Sequence, residues 1–580
     1  MSPDQAFLGA DLLARALSAN SFQLVALNPG ATEELFASAL ERAGAPKPIL
    51  AYQELTVLGL AGGLALGQRL GGEGSGAWGR AAVVAHGMVG LGGMASFITG
   101  FAQQKLPVLI IVGNAGVMED SLGKHQNPNS GLEQLARGAG CKGVFWTTTP
   151  DSLVHQLKRA TMTAEGGAPG PAALVIPQNG VMAAPAPLDA VIEAIPRAGR
   201  GAVPCAEAVR ELALRLHGSA APVILVGDGV ARSGAVEDVA RVAELCGARV
   251  FGSMDHELCF PMDHPLWFGS TGHVFGASAA KLFAGADCVV SVGSVDVSMV
   301  FPTSGAPYGS DAWVTFVGED EAAAASMYRS SASPIIADPK ATMALLGREL
   351  ADMRTELRSA EVLGRVTALM EASRVAREER LAKGNAERQG MPLHAYDVAE
   401  ALRKVMEELG IEDRVAIVDE GLTRSHAIED ILRPRRPGRY FASRGGSLGY
   451  AGPMACGLAF ANPAMSVIAI SGDGGFLYTP QWLLTARENR LCVKCIVFQD
   501  DAYSTLIAIA GDQGRPSPDT FLLGSRRRRV ASPAPIDFAG LAAGFGGVPA
   551  ETVAARDEIE GAIRRLLAAE GPALLVAKVA

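Results

Sequence analysis

Charge is scarce in this chain, and that narrows what it can be. Only 19% of the 580 residues are Asp, Glu, Lys or Arg, and acidic residues outnumber basic ones by 60 to 51 for a net charge of -9. Such a surface offers no continuous positive field to a nucleic-acid backbone, so no nucleic acid is expected as partner and a small molecule is. Cysteine is sparse as well, with eight residues scattered along the chain. The single Cys-x-x-Cys, Cys492 to Cys495, falls in an expected strand. Positions three apart on a strand point to opposite faces, which suits core filling better than a metal or redox pair. A reduced, cytoplasmic setting follows as the expectation. At the start, Asp4 and Asp11 stand where a secretory leader needs a basic segment and an apolar run. Unbroken apolar spans are missing too. Residues 81–104 and 445–472 carry no charge, but His86 and a group of glycines interrupt the first, and Pro453, Asn462 and Pro463 the second. Both are expected as buried strand, turn and helix segments, and no membrane is expected as partner.

Apolar residues are abundant, at 49%, and at roughly 150 residues per domain the length suits three or four cores. Short Val- and Ile-rich runs recur at 22–27, 81–85, 107–112, 172–176, 222–226, 287–292, 312–317, 415–419, 466–470, 493–498 and 572–579, with helical stretches between them. That alternation reads as an α/β protein built of parallel layers. An Ala- and Pro-rich stretch at 183–204 and a charge-dense helical one at 352–390 read as linkers. Three domains result, over 1–185, 200–350 and 391–580 with a linker at 351–390, each with a mainly parallel sheet flanked by helices. No sequence repeat relates them.

The sharpest local signal is Ser471-Gly472-Asp473-Gly474 after the apolar run Val467 to Ile470, followed by a helical stretch and a second strand ending Gln499-Asp500-Asp501-Ala502. Two strand ends flanking one helix bring Asp473 and Asp500 to the carboxyl edge of a parallel sheet, where α/β proteins bind ligands. There they could hold Mg2+ against a diphosphate, with the helix N-terminus after Gly474 favouring the anion. Spacing alone is weak, because Gly227-Asp228-Gly229 also follows a strand and Asp255, like Asp500, stands 27 residues on. Only the second pair follows a glycine-rich turn, Arg444 to Tyr450, that lets a cofactor approach the backbone.

This C-terminal pattern resembles the thiamine diphosphate (ThDP) signature of the pyruvate oxidase and decarboxylase group, and three further segments resemble that group in the same order. Asn28-Pro29-Gly30-Ala31-Thr32-Glu33-Glu34-Leu35-Phe36 is similar to the corresponding turn of the benzoylformate decarboxylases, the members the chain resembles most closely. Tyr52-Gln53-Glu54, opening a small-residue helix from Ala61 to Gly67, resembles the segment whose glutamate activates the cofactor. Phe260-Pro261-Met262-Asp263-His264-Pro265 resembles the FPxxHP turn of the group's middle domain.

The resemblance implies pyrimidine-binding, middle and diphosphate-binding domains, with ThDP and Mg2+ held between subunits, so that a homodimer is the minimum unit and a homotetramer the expected one. It further implies non-oxidative decarboxylation of a 2-oxo acid through ylid and enamine intermediates, with acyloin carboligation as a side activity. In that scheme Glu54, His264 and His86 are catalytic. Glu54, Gly446, Leu448, Gly472, Asp473, Gly474, Asp500, Ala502 and Tyr503 surround the cofactor, and the side chains of Asp473 and Asp500 with the carbonyl of Ala502 ligate the metal. Ala31, Thr505, Leu506 and Ile509 fall where the group lines its substrate pocket; taken alone, the last three read as helix core. Three departures stand out. Gln53 replaces a common His, Ala31 replaces a Ser that faces the substrate carboxylate, and Gln499-Asp500 replaces Asn-Asn, adding a carboxylate at the metal. The run Arg526 to Arg529 reads as a solvated loop. Two other readings compete: a dedicated carboligase of the acetolactate-synthase type, and an inactive ThDP-binding regulatory subunit, against which the presence of Glu54 argues.

Overall fold

The computed structural model describes residues 6–71, 78–114, 131–197, 201–253, 255–271, 273–274, 281–294, 298–299, 307–443, 446–527 and 534–579. The chain divides into two compact units, Met1–Ala198 with Pro392–Ser425 and Gly445–Ala580, and Gly199–Met391 with His426–Arg444.

The first unit carries two parallel sheets. One holds β1 (Phe22–Leu27), β2 (Lys47–Leu50), β3 (Arg80–His86), β4 (Leu109–Asn114), β5 (Val144–Trp146) and β6 (Ala172–Pro177) in the order β2-β1-β3-β4-β6-β5. Its central strands β4 and β6 are buried along their whole length, as a sheet covered by helices on both faces requires. The other is formed in this unit by β15 (Val415–Glu420), β17 (Ser466–Gly472), β18 (Val493–Gln499), β19 (Ala550–Val553) and β20 (Ala573–Lys578), in the order β15-β17-β18-β20-β19.

The two layers meet through helices Glu54–Gly71 and Ala451–Ala461. A Cβ on Gly63 would stand 2.2 Å from the Met454 carbonyl oxygen, and one on Gly457 2.2 Å from that of Leu60. Side chains at those positions would force the helices apart, which explains the small-residue run from Ala61 to Gly67. Three sheets therefore make two compact units: the first and third share this helical seam.

The second unit has β7 (Pro222–Val226), β8 (Arg249–Gly252), β9 (Trp267–Ser270), β11 (Cys288–Val292), β13 (Trp313–Gly318) and β14 (Ile335–Ile336) in the parallel order β14-β13-β11-β7-β8-β9, besides a two-stranded ladder of β10 (His273–Val274) and β12 (Ser298–Met299). The linker stretch forms a helix of 32 residues, Glu356–Glu387, mostly exposed and started by the Thr355 side chain, which accepts from the Arg358 N–H. Strand β16 (Tyr440–Ala442) belongs to this unit, where the Ala442 N–H donates to the His256 carbonyl at 2.8 Å.

Both charge-free stretches resolve as expected, 81–104 into β3 and helix Gly87–Gln104, and 445–472 into helix Ala451–Ala461 and β17. Among the described residues no helix is long and apolar enough to cross a membrane.

Candidate active site

Strand β17 ends at Gly472, and Asp473 opens a helix of only four residues, Asp473–Phe476. So short a helix has little macrodipole, contrary to the expectation of an anion held by a helix N-terminus there. Polar groups, not a dipole, distinguish the spot. Asp473 is 2% exposed and accepts only backbone N–H groups among the described residues: Gly474 at 2.7 Å on Oδ1, Asp500 at 3.2 Å and Asp501 at 2.7 Å on Oδ2. Burial, with Asp500 and Asp501 beside it, pushes its carboxyl up to about 7 against those hydrogen bonds.

Asp500 follows the neighbouring strand β18, and its carboxylate accepts three hydrogen bonds. Its Oδ1 accepts the Ala502 N–H at 3.1 Å, and its Oδ2 accepts from Arg424 Nη2 at 3.1 Å and Ser504 Oγ at 2.5 Å. Asp501 takes a left-handed φ of +52°, and its N–H and that of Asp500 both point at Asp473. Tyr503 packs its ring over Gly474, where a Cβ would lie 2.7 Å from Cε1, whereas a Cβ on Gly472 would meet nothing within 4 Å. The oxygen-rich donors and the raised Asp473 carboxyl fit a hard divalent cation. Among the described residues no cluster of three or more His, Cys, Asp or Glu side chains is poised for a metal, so any such ion must rely on this pair plus backbone oxygen and ligand.

On the other side of β17, Glu420 ends β15 opposite Ser471. It accepts the N–H of Gly449 at 2.7 Å and of Ala451 at 3.1 Å, and thereby fixes the glycine-rich turn. Burial drives its carboxyl up to about 7, opposed by the backbone bonds of that turn. Gly449 has φ +86°, and a Cβ there would lie 2.7 Å from the Tyr478 Cβ, so only glycine serves. Leu448 is half-buried and Gly446 exposed on the turn, while Arg444 and Gly445 lie outside the described residues. Sequence reasoning missed Glu420 and Arg424; a pair of acids, Asp419 and Glu420, closing a wholly apolar strand was the available signal.

The first sheet presents a second polar edge. The chain runs from β1 outward to β2 and then back across β1 to β3 and β4, so the connections after β1 and β3 go to opposite sides and open a crevice at the carboxyl ends of those two strands. Glu54 opens its helix there, and its Oε1 accepts from Asn28 Nδ2 at 3.1 Å. Gln53, the departure before it, caps that helix: its Oε1 accepts the N–H of Leu55 at 2.7 Å and of Thr56 at 3.0 Å. His86 ends β3, and its Nδ1 lies 2.9 Å from Oε2 of the buried Glu33, which also accepts the Gly30 N–H. Glu33 was a third residue that sequence reasoning passed over. Ala31 is exposed on the turn after β1.

His264 sits in the second unit with both ring nitrogens engaged, Nδ1 accepting the Leu266 N–H at 3.1 Å and Nε2 lying 3.2 Å from Glu244 Oε1. Its ring meets Phe260 edge-on. Of the pocket candidates on helix Ser504–Asp512, Thr505 and Leu506 are exposed and Ile509 half-buried, so they do not form helix core. Arg526 turns back on the site and donates to the Asp500 carbonyl at 2.9 Å, while Arg528 and Arg529 lie outside the described residues.

Comparison with known proteins bears on this arrangement. Residues 424–577 match the C-terminal TPP-binding domain of the thiamine pyrophosphate enzymes, and residues 209–346 match their central domain. The chain is 27% identical over 537 residues to a benzoylformate decarboxylase of Pseudomonas aeruginosa, spanning 91% of this chain and 90% of that protein. It is 26% identical over 443 residues to a probable acetolactate synthase large subunit of Methanocaldococcus jannaschii, spanning 75% and 71%. The crystal structure of benzoylformate decarboxylase from Polynucleobacter necessarius superposes with a TM-score of 0.80 over 99% of both chains at 21% identity, a likeness of fold.

Proposed function

The chain belongs to the thiamine pyrophosphate enzymes, and on that premise we propose that it is a ThDP- and Mg2+-dependent non-oxidative decarboxylase of a 2-oxo acid, working as a cytoplasmic homodimer or homotetramer. The observation that carries this reading is the pair of oxygen-donor carboxylates at adjoining strand ends, with the N–H groups of Asp500 and Asp501 both turned onto Asp473. Asp473 and Asp500 with the Ala502 carbonyl would hold Mg2+. Gly446, Gly472, Gly474 and Tyr503 would border the cofactor and Leu448 would support it. Bound ThDP supplies a place for the electron pair released when CO2 leaves.

Glu54, oriented by Asn28, would exchange a proton with the pyrimidine ring. His86, held by Glu33 through a 2.9 Å contact at Nδ1, would carry the proton that ends the reaction, because that contact orients the imidazole. The engagement of both His264 nitrogens suits a turn residue instead. Thr505, Leu506, Ile509 and Ala31 would line the substrate pocket, and their small or apolar side chains favour an apolar 2-oxo substituent. The domains at 1–185, 200–350 and 391–580 would then be the pyrimidine-binding, middle and diphosphate-binding parts.

Incubation of the protein with ThDP, Mg2+ and a panel of 2-oxo acids, with and without acceptor aldehydes, tests this by product mass. The expected products are CO2 and the aldehyde one carbon shorter. Exclusive formation of acetohydroxy acids or acyloins would establish the carboligase reading, which the acetolactate synthase relative supports. Glu54→Gln should keep ThDP bound and slow exchange of its C2 proton by ~10²–10⁴-fold; wild-type exchange in that variant would refute the role of Glu54.

A further inference from the structure

The proposed metal site contains one more negative charge than the Asn-Asn pattern its sequence resembles, and the fold places one more positive charge beside it. Strand β15 is followed by a single tight turn, Leu422–Arg424, that delivers Arg424 to the end of β18. Its Nη2 stands 3.1 Å from Asp500 Oδ2, with the side chains 20% and 9% exposed. At that depth an ion pair is little screened by water, and losing one partner is felt strongly by the other. Asp473, by contrast, accepts only from backbone N–H groups among the described residues.

We infer that Arg424 is a positioning residue that cancels the added charge of Asp500, so that this aspartate serves the metal with the net charge of an amide. The inference rests on the reading of Asp473 and Asp500 as metal ligands. Three further features fit it. Ser504 Oγ shares Oδ2 with Arg424, and the Ala502 N–H holds Oδ1, so the carboxylate is fixed in one orientation. Arg526 holds the Asp500 carbonyl at 2.9 Å, so backbone and side chain of this one residue are each held by an arginine. The pair is also reciprocal: Asp500→Asn alone leaves Arg424 facing the cation with no carboxylate to balance it, and Arg424→Met alone exposes an uncompensated carboxylate to it.

Titration of Mn2+ into the full-length protein at saturating ThDP, read by electron paramagnetic resonance of free Mn2+, tests this. Because a charge-assisted contact is at stake, Arg424→Met should tighten Mn2+ about tenfold and Asp500→Asn should weaken it about tenfold. The double variant should return to within about twofold of wild type. Arg424→Lys, which keeps the charge, should stay near wild type, and Arg424→Gln repeats the charge removal if Met proves unfolded by circular dichroism. An Arg424→Met titration superimposable on wild type, or a double variant that binds Mn2+ as weakly as Asp500→Asn alone, would overturn the inference. Asp473→Ala separates it from its premise. Wild-type Mn2+ binding in that variant refutes the metal site itself, whereas loss of binding there with an Arg424→Met titration superimposable on wild type refutes only the role of Arg424.

Discussion

Gly227-Asp228-Gly229 and Gly472-Asp473-Gly474 each follow a buried parallel strand and open a short helix, and each has another Asp 27 residues beyond its own, Asp255 and Asp500. In the second unit the acids go separate ways. Asp228 Oδ2 lies 2.7 Å from His256 Nδ1, its Oδ1 accepts the N–H of His256 and Glu257, and Asp255 turns to Ser270 Oγ at 2.5 Å. The crevice between β7 and β11 is closed by backbone: the Gly229 N–H donates to the Gly293 carbonyl at 2.8 Å, and a Cβ on Gly293 would lie 2.6 Å from the Gly229 Cα. Burial alone would raise the Asp228 carboxyl, but His256 brings it below its ordinary value. Among the described residues Asp473 meets no such imidazole; it stands beside Asp500 and is pushed up to about 7. Strand, turn and spacing specify topology; a site is left where charge remains unmatched.

The comparison breaks most readily through the same substitution in both turns. Asp228→Asn should destabilise the metal-free protein by roughly 3–5 kcal/mol, since it strips a buried imidazole of its carboxylate. Asp473→Asn, keeping an oxygen for the backbone donors, should change stability by no more than about 1 kcal/mol. Urea unfolding of both variants checks this; equal losses would erase the distinction.

The two turns should also answer pH in opposite directions. Glu420, raised to about 7, contributes stability that is present below its unfolded value and lost as pH rises through 7. Asp228, lowered, contributes stability that is present above the unfolded value and lost as pH falls below it. Glu420→Gln should therefore remove a decline on the order of 3 kcal/mol between pH 5 and 8, whereas Asp228→Asn should flatten only the acidic limb. Denaturation profiles across pH separate the two, and a Glu420→Gln profile parallel to wild type would contradict the assignment.

Among the imidazoles the expected effects are smaller. His86→Ala should slow turnover about 10²-fold with ThDP still bound. His264→Ala should cost about 1 kcal/mol of stability and little turnover, through loss of the Leu266 bond, the Glu244 contact and the packing on Phe260. Steady-state kinetics with parallel melting curves would show the reverse if His264 handled the proton.

Much of the fold was legible because parallel strands buried on both faces read as continuous apolar runs: the expected 466–470 and 493–498 became Ser466–Gly472 and Val493–Gln499. Strand β8, an interior strand of only four residues, was not foreseen, and neither were the outer strands β2, β5, β9, β14 and β19. All five are edge strands of two to four residues, too short and too little buried to leave such a run. At the site, Asp473 and Asp500 were legible because a strand end fixes where the next residue falls. Glu420, Arg424 and Glu33 were not, because each acts on a residue distant in sequence, and only the folded chain brings Arg424 to Asp500 or Glu33 to His86.

Titration calorimetry of ThDP with Mg2+ into Asp500→Ala and Asp255→Ala variants tests the contrast between the two turns most directly. The account predicts that Asp500→Ala loses metal-dependent ThDP binding while Asp255→Ala binds like wild type. Wild-type binding by Asp500→Ala, or loss of binding by Asp255→Ala, would contradict it.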